Sequence, residues 1–256
     1  MGPFNWRGMA VIYRFELARS WRTLFQSLLS PVLTTSLYFV VFGSALGSRI
    51  STIDGIPYPA FIVPGLLMMT ILAESAANAS FGIYLPRFTG TIYELLSAPL
   101  GVTETLIGYV GAAATKSVIL AVIILLTARI FVPYHVLHPL LAALFVVLIA
   151  VTFSLLGFIL GCWADGFEKL QVVPMLVLTP LSFLGGAFYS VQMLAQPWRS
   201  VTLANPVVYL VNGLRWTFYG RADVGFGLAL GLTCGFLLVC IGAIALIFRT
   251  GWRLRP

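Results

Sequence analysis

The chain has 256 residues, 60% of them hydrophobic and only 9% charged, and its mean hydropathy is +1.00. A soluble domain carries roughly 25% charged residues, so this composition excludes a water-soluble globular fold and places the chain in a lipid bilayer. The formal net charge of +7 does not argue for nucleic acid, because the basic residues stand at the ends of apolar runs, as orientation signals do, and no RNA- or DNA-binding module is present.

Residues 4–24 come first. Trp6, Met9, Tyr13, Leu17, Trp21 and Leu24 recur at spacings of three and four and share one helical face, opposite Arg7, Arg14 and Arg22. The pattern predicts an amphipathic helix lying in the membrane interface. Apolar sequence proper begins near Leu28, too late and too long for the apolar core of a secretory signal. Six apolar segments follow, at about 28–47, 59–83, 105–131, 140–163, 170–189 and 226–248, each near the ~20 residues that span a bilayer. Pro31, Pro64, Pro174 and Pro180 lie inside them and predict kinks or local irregularity. The stretch 190–225 is apolar but interrupted by Pro197, Asn205, Pro206, Asn212 and Arg215, which predicts re-entrant or interfacial hairpin helices capping one end of the bundle. The expected fold is an all-α integral membrane protein, one transmembrane domain over residues 1–256. With six spans, nine basic residues fall on the side of the termini and five on the other, which predicts cytoplasmic N and C termini.

Between the second and third spans the chain turns polar. Within residues 89–100, Gly90 and Pro99 punctuate a short helix with Ile92, Leu95 and Leu96 on one face and Thr91, Glu94 and Ser97 away from it. Such a stripe fits a partner's groove, and it fits a loop dipping into lipid equally well. Two full charges stand within the flanking spans. Glu74 lies 21 residues before Leu95 and Lys116 lies 21 after it, so at ~1.5 Å of rise per residue they reach similar depth. They are expected to face each other or share a polar network, either as a buried pair fixing helix register or as a polar contact for a moving substrate.

Other features point away from chemistry. Cys162, Cys234 and Cys240 sit in apolar runs without a CxxC, and His135 and His138 alone are too few to hold a metal, so no metal is expected. The stretch "GAAATKS", Gly111 to Ser117, lacks the second glycine of a phosphate-binding loop and lies in an apolar helical run. No nucleophile–base or paired-carboxylate constellation is present, so the chain is not expected to be an enzyme. The rows Gly227/Gly231/Gly235 and Gly157/Gly161 allow close helix approach, within the chain or between two copies.

The order of an amphipathic N-terminal helix, six spans, "GTIYELLSAPL" between the second and third, and "LGGAFYSVQML…PW…LANPVVYLVNGLR" before the last resembles the permease subunits of ABC-2 type exporters, in particular the YadH-like and nodulation-exporter (NodJ-like) permeases. "YFVVFGSALGSRI" and "FIVPGLLMM" add to a match that covers essentially the whole chain. The resemblance implies two permease copies paired with two separately encoded ATPase subunits that bind ATP and magnesium, so no cofactor is expected here. It implies that residues 89–100 form the coupling helix, with Arg87, Thr91, Glu94, Leu95, Leu96 and Pro99 at the ATPase contact. It also implies that Phe188, Tyr189, Trp198, Asn205, Pro206 and Tyr209 cap the outer mouth. Tyr38, Phe39, Phe42 and Phe183 are candidates to line the substrate path, and the location is a bacterial inner membrane. The implied function is ATP-driven export of an amphipathic substrate such as a lipid-linked or lipo-oligosaccharide, a lipid or a drug. The alternative is a secondary transporter or channel-like protein with no ATPase partner. That reading calls for internal repeats and more intramembrane ionisable groups than one pair. A membrane enzyme would need clustered His, Asp or Glu near the interface.

Overall fold

The computed structural model describes residues 4–22, 24–47 and 49–250. In chain order the elements are α1 (Trp6–Arg22), α2 (Leu24–Val40) prolonged by a π-helical turn (Val41–Leu46), a two-stranded hairpin of β1 (Thr52–Ile53) and β2 (Ile56–Pro57), α3 (Tyr58–Thr89), α4 (Ile92–Ser97), α5 (Val102–Phe131) and α6 (Pro139–Trp163). Then come α7 (Phe167–Val173), a second π turn (Pro174–Leu178), α8 (Thr179–Phe183), a 3-10 turn (Val191–Met193), α9 (Trp198–Leu203), α10 (Pro206–Tyr219) and α11 (Phe226–Thr250).

Helices α3, α5, α6 and α11 are each long and apolar enough to cross a membrane, and the pair Trp6–Arg22 and Ser27–Gly43, bent by 59°, meets the same test together. The described residues therefore hold four or five candidate spans of an all-α membrane protein. The stretch 170–189 does not form one regular helix. It is helical only from Phe167 to Phe183, its hydrogen bonding shifts at Pro174, and the chain turns back at Gly186 in the left-handed region (φ 75°). Proline removes one amide donor from the ladder, which accounts for the irregularity at Pro174.

The core is built around α3, whose largest contact is with α6. Backbones touch there: a Cβ at Gly157 would stand 2.2 Å from the Ala76 carbonyl oxygen, and one at Gly161 2.3 Å from that of Ser80. The Gly157/Gly161 row is thus used inside the chain. At Gly227, Gly231 and Gly235 an added Cβ would meet nothing within 4 Å, so that row of α11 faces away from the chain.

Helix α1 differs from the expected picture of one greasy face on lipid. It packs along α5 through Ile12, Glu16 and Ser20, all buried, while Trp6, Phe15 and Trp21 are exposed and Met9, Tyr13 and Leu17 are half-buried. The Leu24 side chain lies outside the described residues. The reason is a steric fit that periodicity does not display: Gly108 of α5 leaves room for Ile12, whose side chain lies 2.7 Å from a Cβ placed there. Polar bonds complete the seam. The Asn5 backbone amide donates to the Glu104 carboxylate (3.2 Å), its side-chain amide donates to the Pro99 carbonyl (3.2 Å), and the Tyr13 and Thr115 hydroxyls meet at 2.9 Å.

Candidate functional site

Three polar or aromatic centres lie along the bundle. The first is the end that carries α4. This six-residue helix follows Gly90, whose φ of 80° suits only glycine without cost. Ile92 is only 4% exposed and belongs to a cluster with Ile12, Ile83 and Tyr109, while Leu95 packs partly against that cluster. The expected partner-facing stripe is thereby corrected: Ile92 and part of Leu95 are consumed by the chain's own core, because α1, α3 and α5 close over that side. The Leu96 side chain lies outside the described residues. What α4 presents outward is Thr91, Tyr93, Glu94 and Ser97, followed by Pro99. Arg87 is also redirected. Its guanidinium donates to the carbonyls of Gly161 (2.7 Å) and Ala164 (3.2 Å), capping the C-terminus of α6 where unpaired carbonyls gather. Beside it Tyr84, Phe88 and Phe167 form an edge-to-face cluster, with Phe88 and Phe167 exposed.

The second centre is at mid-depth. Glu74 stands midway along α3 and Lys116 midway along α5. The two side chains do not form a direct ion pair; Asn78 stands between them. Its amide nitrogen donates to the Glu74 carboxylate (3.2 Å), and its amide oxygen accepts from Lys116 Nζ (2.6 Å). Lys116 is 6% exposed, whereas Glu74 and Asn78 are half-buried. One turn closer to α4, Glu16 and Arg19 of α1 bond at 2.6 Å against Gly82 of α3, where a Cβ would stand 3.0 Å from the Glu16 carboxylate.

The third centre is the opposite end. Tyr38 of α2 and Phe42 of the π turn that prolongs it close on Phe188, with Phe42 and Phe188 stacked at 4.6 Å and Phe183 joining Phe188 at 5.8 Å. Phe39 does not belong with them. It is 3% exposed and stacks on Phe131 of α5, since one residue along a helix rotates the side chain ~100°; it is corrected from path candidate to core packing. Tyr189 and Trp198 line an open groove of about 580 Å³ with Phe183. Asn205 and Pro206 start α10: the Asn205 side chain accepts from Val207 N and donates to the Leu181 carbonyl (2.6 Å), and proline occupies the first helical position. Tyr209 donates to the Leu203 carbonyl at 2.8 Å, closing the turn between α9 and α10.

The sequence that folds this way has counterparts among known proteins. A family model described as ABC-2 type transporter matches residues 8–219. The chain belongs to the ABC-2 type transporter family. It is 37% identical over 239 residues, 92% of this chain and 93% of the relative, to the inner membrane transport permease YadH of Escherichia coli K12. It is 26% identical over 244 residues, 93% of this chain and 91% of the relative, to nodulation protein J of Rhizobium leguminosarum bv. viciae. To nodulation protein J of Azorhizobium caulinodans it is 27% identical over 239 residues, 91% of this chain and 93% of the relative.

This ABC-2 chain also carries a polar network that sequence reading did not assemble. Arg215, read from sequence as an interruption of the apolar stretch 190–225, is 2% exposed. It lies over the Phe61 ring (3.7 Å), donates to the Gly186 carbonyl (2.7 Å) and approaches Asp223 at 4.0 Å. Asp223 in turn accepts from Ser190 (2.5 Å) and the Val191 amide (2.9 Å), and its own amide donates to Asn212. The network ties the turn after α8, α10 and the approach to α11 to the central helix α3. The available signal was Asn212 and Arg215 inside an otherwise apolar helix.

Proposed function

We propose that this chain is the permease subunit of an ATP-driven exporter of amphipathic substrates in a bacterial inner membrane. It would work as a pair of copies, with ATP and magnesium held by a separate ATPase. The observation that carries the reading is the α4 end. A short helix projects Thr91, Tyr93 and Glu94 while Ile92 anchors it in a cluster contributed by α1, α3 and α5. A partner pressing on Tyr93 and Glu94 would move a unit, because close-packed interiors shift between discrete arrangements rather than deform smoothly. Through α3 and α5 that motion reaches the Glu74–Asn78–Lys116 centre and the aromatic cluster of Tyr38, Phe42, Phe183 and Phe188. In this reading residues 28–47 and the irregular run 167–183 complete six membrane segments, the termini and α4 are cytoplasmic, and the stretch 190–225 caps the outer mouth.

The test is the double substitution Tyr93→Ala with Glu94→Arg, both outward-facing. An ATPase subunit is expected to copurify with the unsubstituted chain and to be lost, with its transport-coupled hydrolysis, from the variant, while the variant's thermal stability is unchanged. Normal coupled hydrolysis in the variant refutes the docking role, and transport by the chain alone refutes the exporter reading.

A further inference from the structure

Helix α3 is enclosed on nearly every side, yet it leaves one narrow stripe at the surface. At mid-helix along that stripe Ala73 and Ala77 are exposed and Thr70, Glu74 and Asn78 are half-buried, and exposed Phe81 continues it one turn nearer α4. The stripe crosses the middle of the longest helix, so it stands at the depth of the hydrocarbon core. Its chemistry does not fit lipid. The Glu74 carboxylate accepts one side-chain hydrogen bond, from Asn78 through Oε2, and the residue is only half-buried, between exposed Ala73 and Ala77. A charged group facing hydrocarbon at the bilayer centre costs ~2.5 kcal/mol or more. A chain with this composition had every opportunity to place an aliphatic residue there, as it does on α11.

We propose that the Thr70–Ala73–Glu74–Ala77–Asn78 stripe of α3 faces a water-filled path, with the Glu74 carboxylate as a binding contact for hydroxyl or ammonium groups passing along it. The geometry supports this in three ways. The half-buried position of Glu74, between exposed Ala73 and Ala77, puts its carboxylate within reach of a hydrogen-bond donor outside the chain. Asn78 and Lys116 hold the carboxylate from behind: the Lys116 Nζ bond to the Asn78 oxygen (2.6 Å) turns the amide nitrogen toward Glu74. The small side chains of Ala73 and Ala77 leave space beside the carboxylate for a bulky polar group to approach. A second copy of the chain packed on the stripe would also remove it from lipid, and the experiment separates the two arrangements. The proposal rests on the chain being a transport permease.

The experiment reads water access directly. Ala73→Cys and Ala77→Cys are made singly in a chain whose Cys162, Cys234 and Cys240 are replaced by alanine, and native membranes are treated with a charged, membrane-impermeant methanethiosulfonate. Since the thiolate is the reacting species and needs water to form, both positions are expected to react at least about tenfold faster than Leu238→Cys on the outer face of α11. Reaction no faster than at Leu238→Cys overturns the proposal, whether residue 77 is found disulfide-linked to a second copy or simply unreactive in lipid. A measurement on the unsubstituted chain guards against misfolding of the cysteine variants. A water-soluble carbodiimide with glycinamide is expected to modify Glu74 alongside the exposed Glu94, and modification of Glu94 alone overturns the proposal. Neither readout needs an ATPase, so the outcome stands or falls separately from the exporter reading.

Discussion

Helices α3 and α11 both cross the bundle and both leave a face uncovered, yet the two faces have opposite chemistry. On α11 the uncovered residues are Leu228, Leu232, Leu238, Val239 and Leu246, with Gly227, Gly231 and Gly235 between them. At mid-helix on α3 they are Ala73 and Ala77, with Thr70, Glu74 and Asn78 at the edge, and large apolar residues, Phe81 and Phe88, are uncovered only nearer α4. In a soluble protein an exposed leucine face would demand a partner. In a bilayer the argument inverts: leucine is at home in lipid, and the small polar stripe is the surface that needs explaining. Composition says only that the chain is greasy; the contrast between the two helices says which side of it is not meant for lipid.

Substitutions can break this contrast. The largest effect is expected where α3 meets α6. Gly157→Leu drives a side chain into the Ala76 carbonyl and should destabilise by about 3 kcal/mol or more, seen as loss of monodisperse protein after detergent extraction. Next, Leu238→Asp on the outer face of α11 should cost ~3 kcal/mol of insertion, whereas Ala77→Asp on the α3 stripe should cost well under half of that; an insertion assay with equal penalties would erase the distinction. Lys116→Met leaves the Asn78 amide oxygen without its donor and should lower stability by ~1–3 kcal/mol. Adding Glu74→Gln should then cost less than it does alone, because the three side chains form one network, and additive melting shifts would show that they do not. The smallest effect belongs to Gly231→Leu. With nothing within 4 Å of its Cβ position, stability is expected to stay within about 0.5 kcal/mol. A large loss would mean that this row is covered by another chain.

Much of the fold was legible because bilayer segments announce themselves by length and hydropathy. The runs 59–83, 105–131, 140–163 and 226–248 lie within α3, α5, α6 and α11. The run 170–189 was less so, since hydropathy does not register a change in hydrogen-bond pattern at Pro174 or a turn at Gly186. The candidate sites were legible in depth but not in facing. Equal spacing about Leu95 says that Glu74 and Lys116 reach one level; that Asn78 stands between them depends on side-chain reach across two helices. Periodicity grouped Ile92 with Leu95 and Leu96, but which side of α4 is covered was decided by Ile12, Ile83 and Tyr109, which come from three other helices. The Arg215–Asp223–Ser190 network joins residues brought together by turns, and no local pattern marks such a meeting.

The account turns on α4 as the place where an ATPase engages this chain. A photo-activatable phenylalanine analogue at position 93, compared with the same analogue at exposed Met193 on the opposite end, tests that most directly in intact membranes. The account predicts a cross-link from position 93 to a subunit identified by mass spectrometry as an ATP-hydrolysing protein, and none to it from position 193. No such cross-link from position 93, or equal capture from both positions, would contradict it.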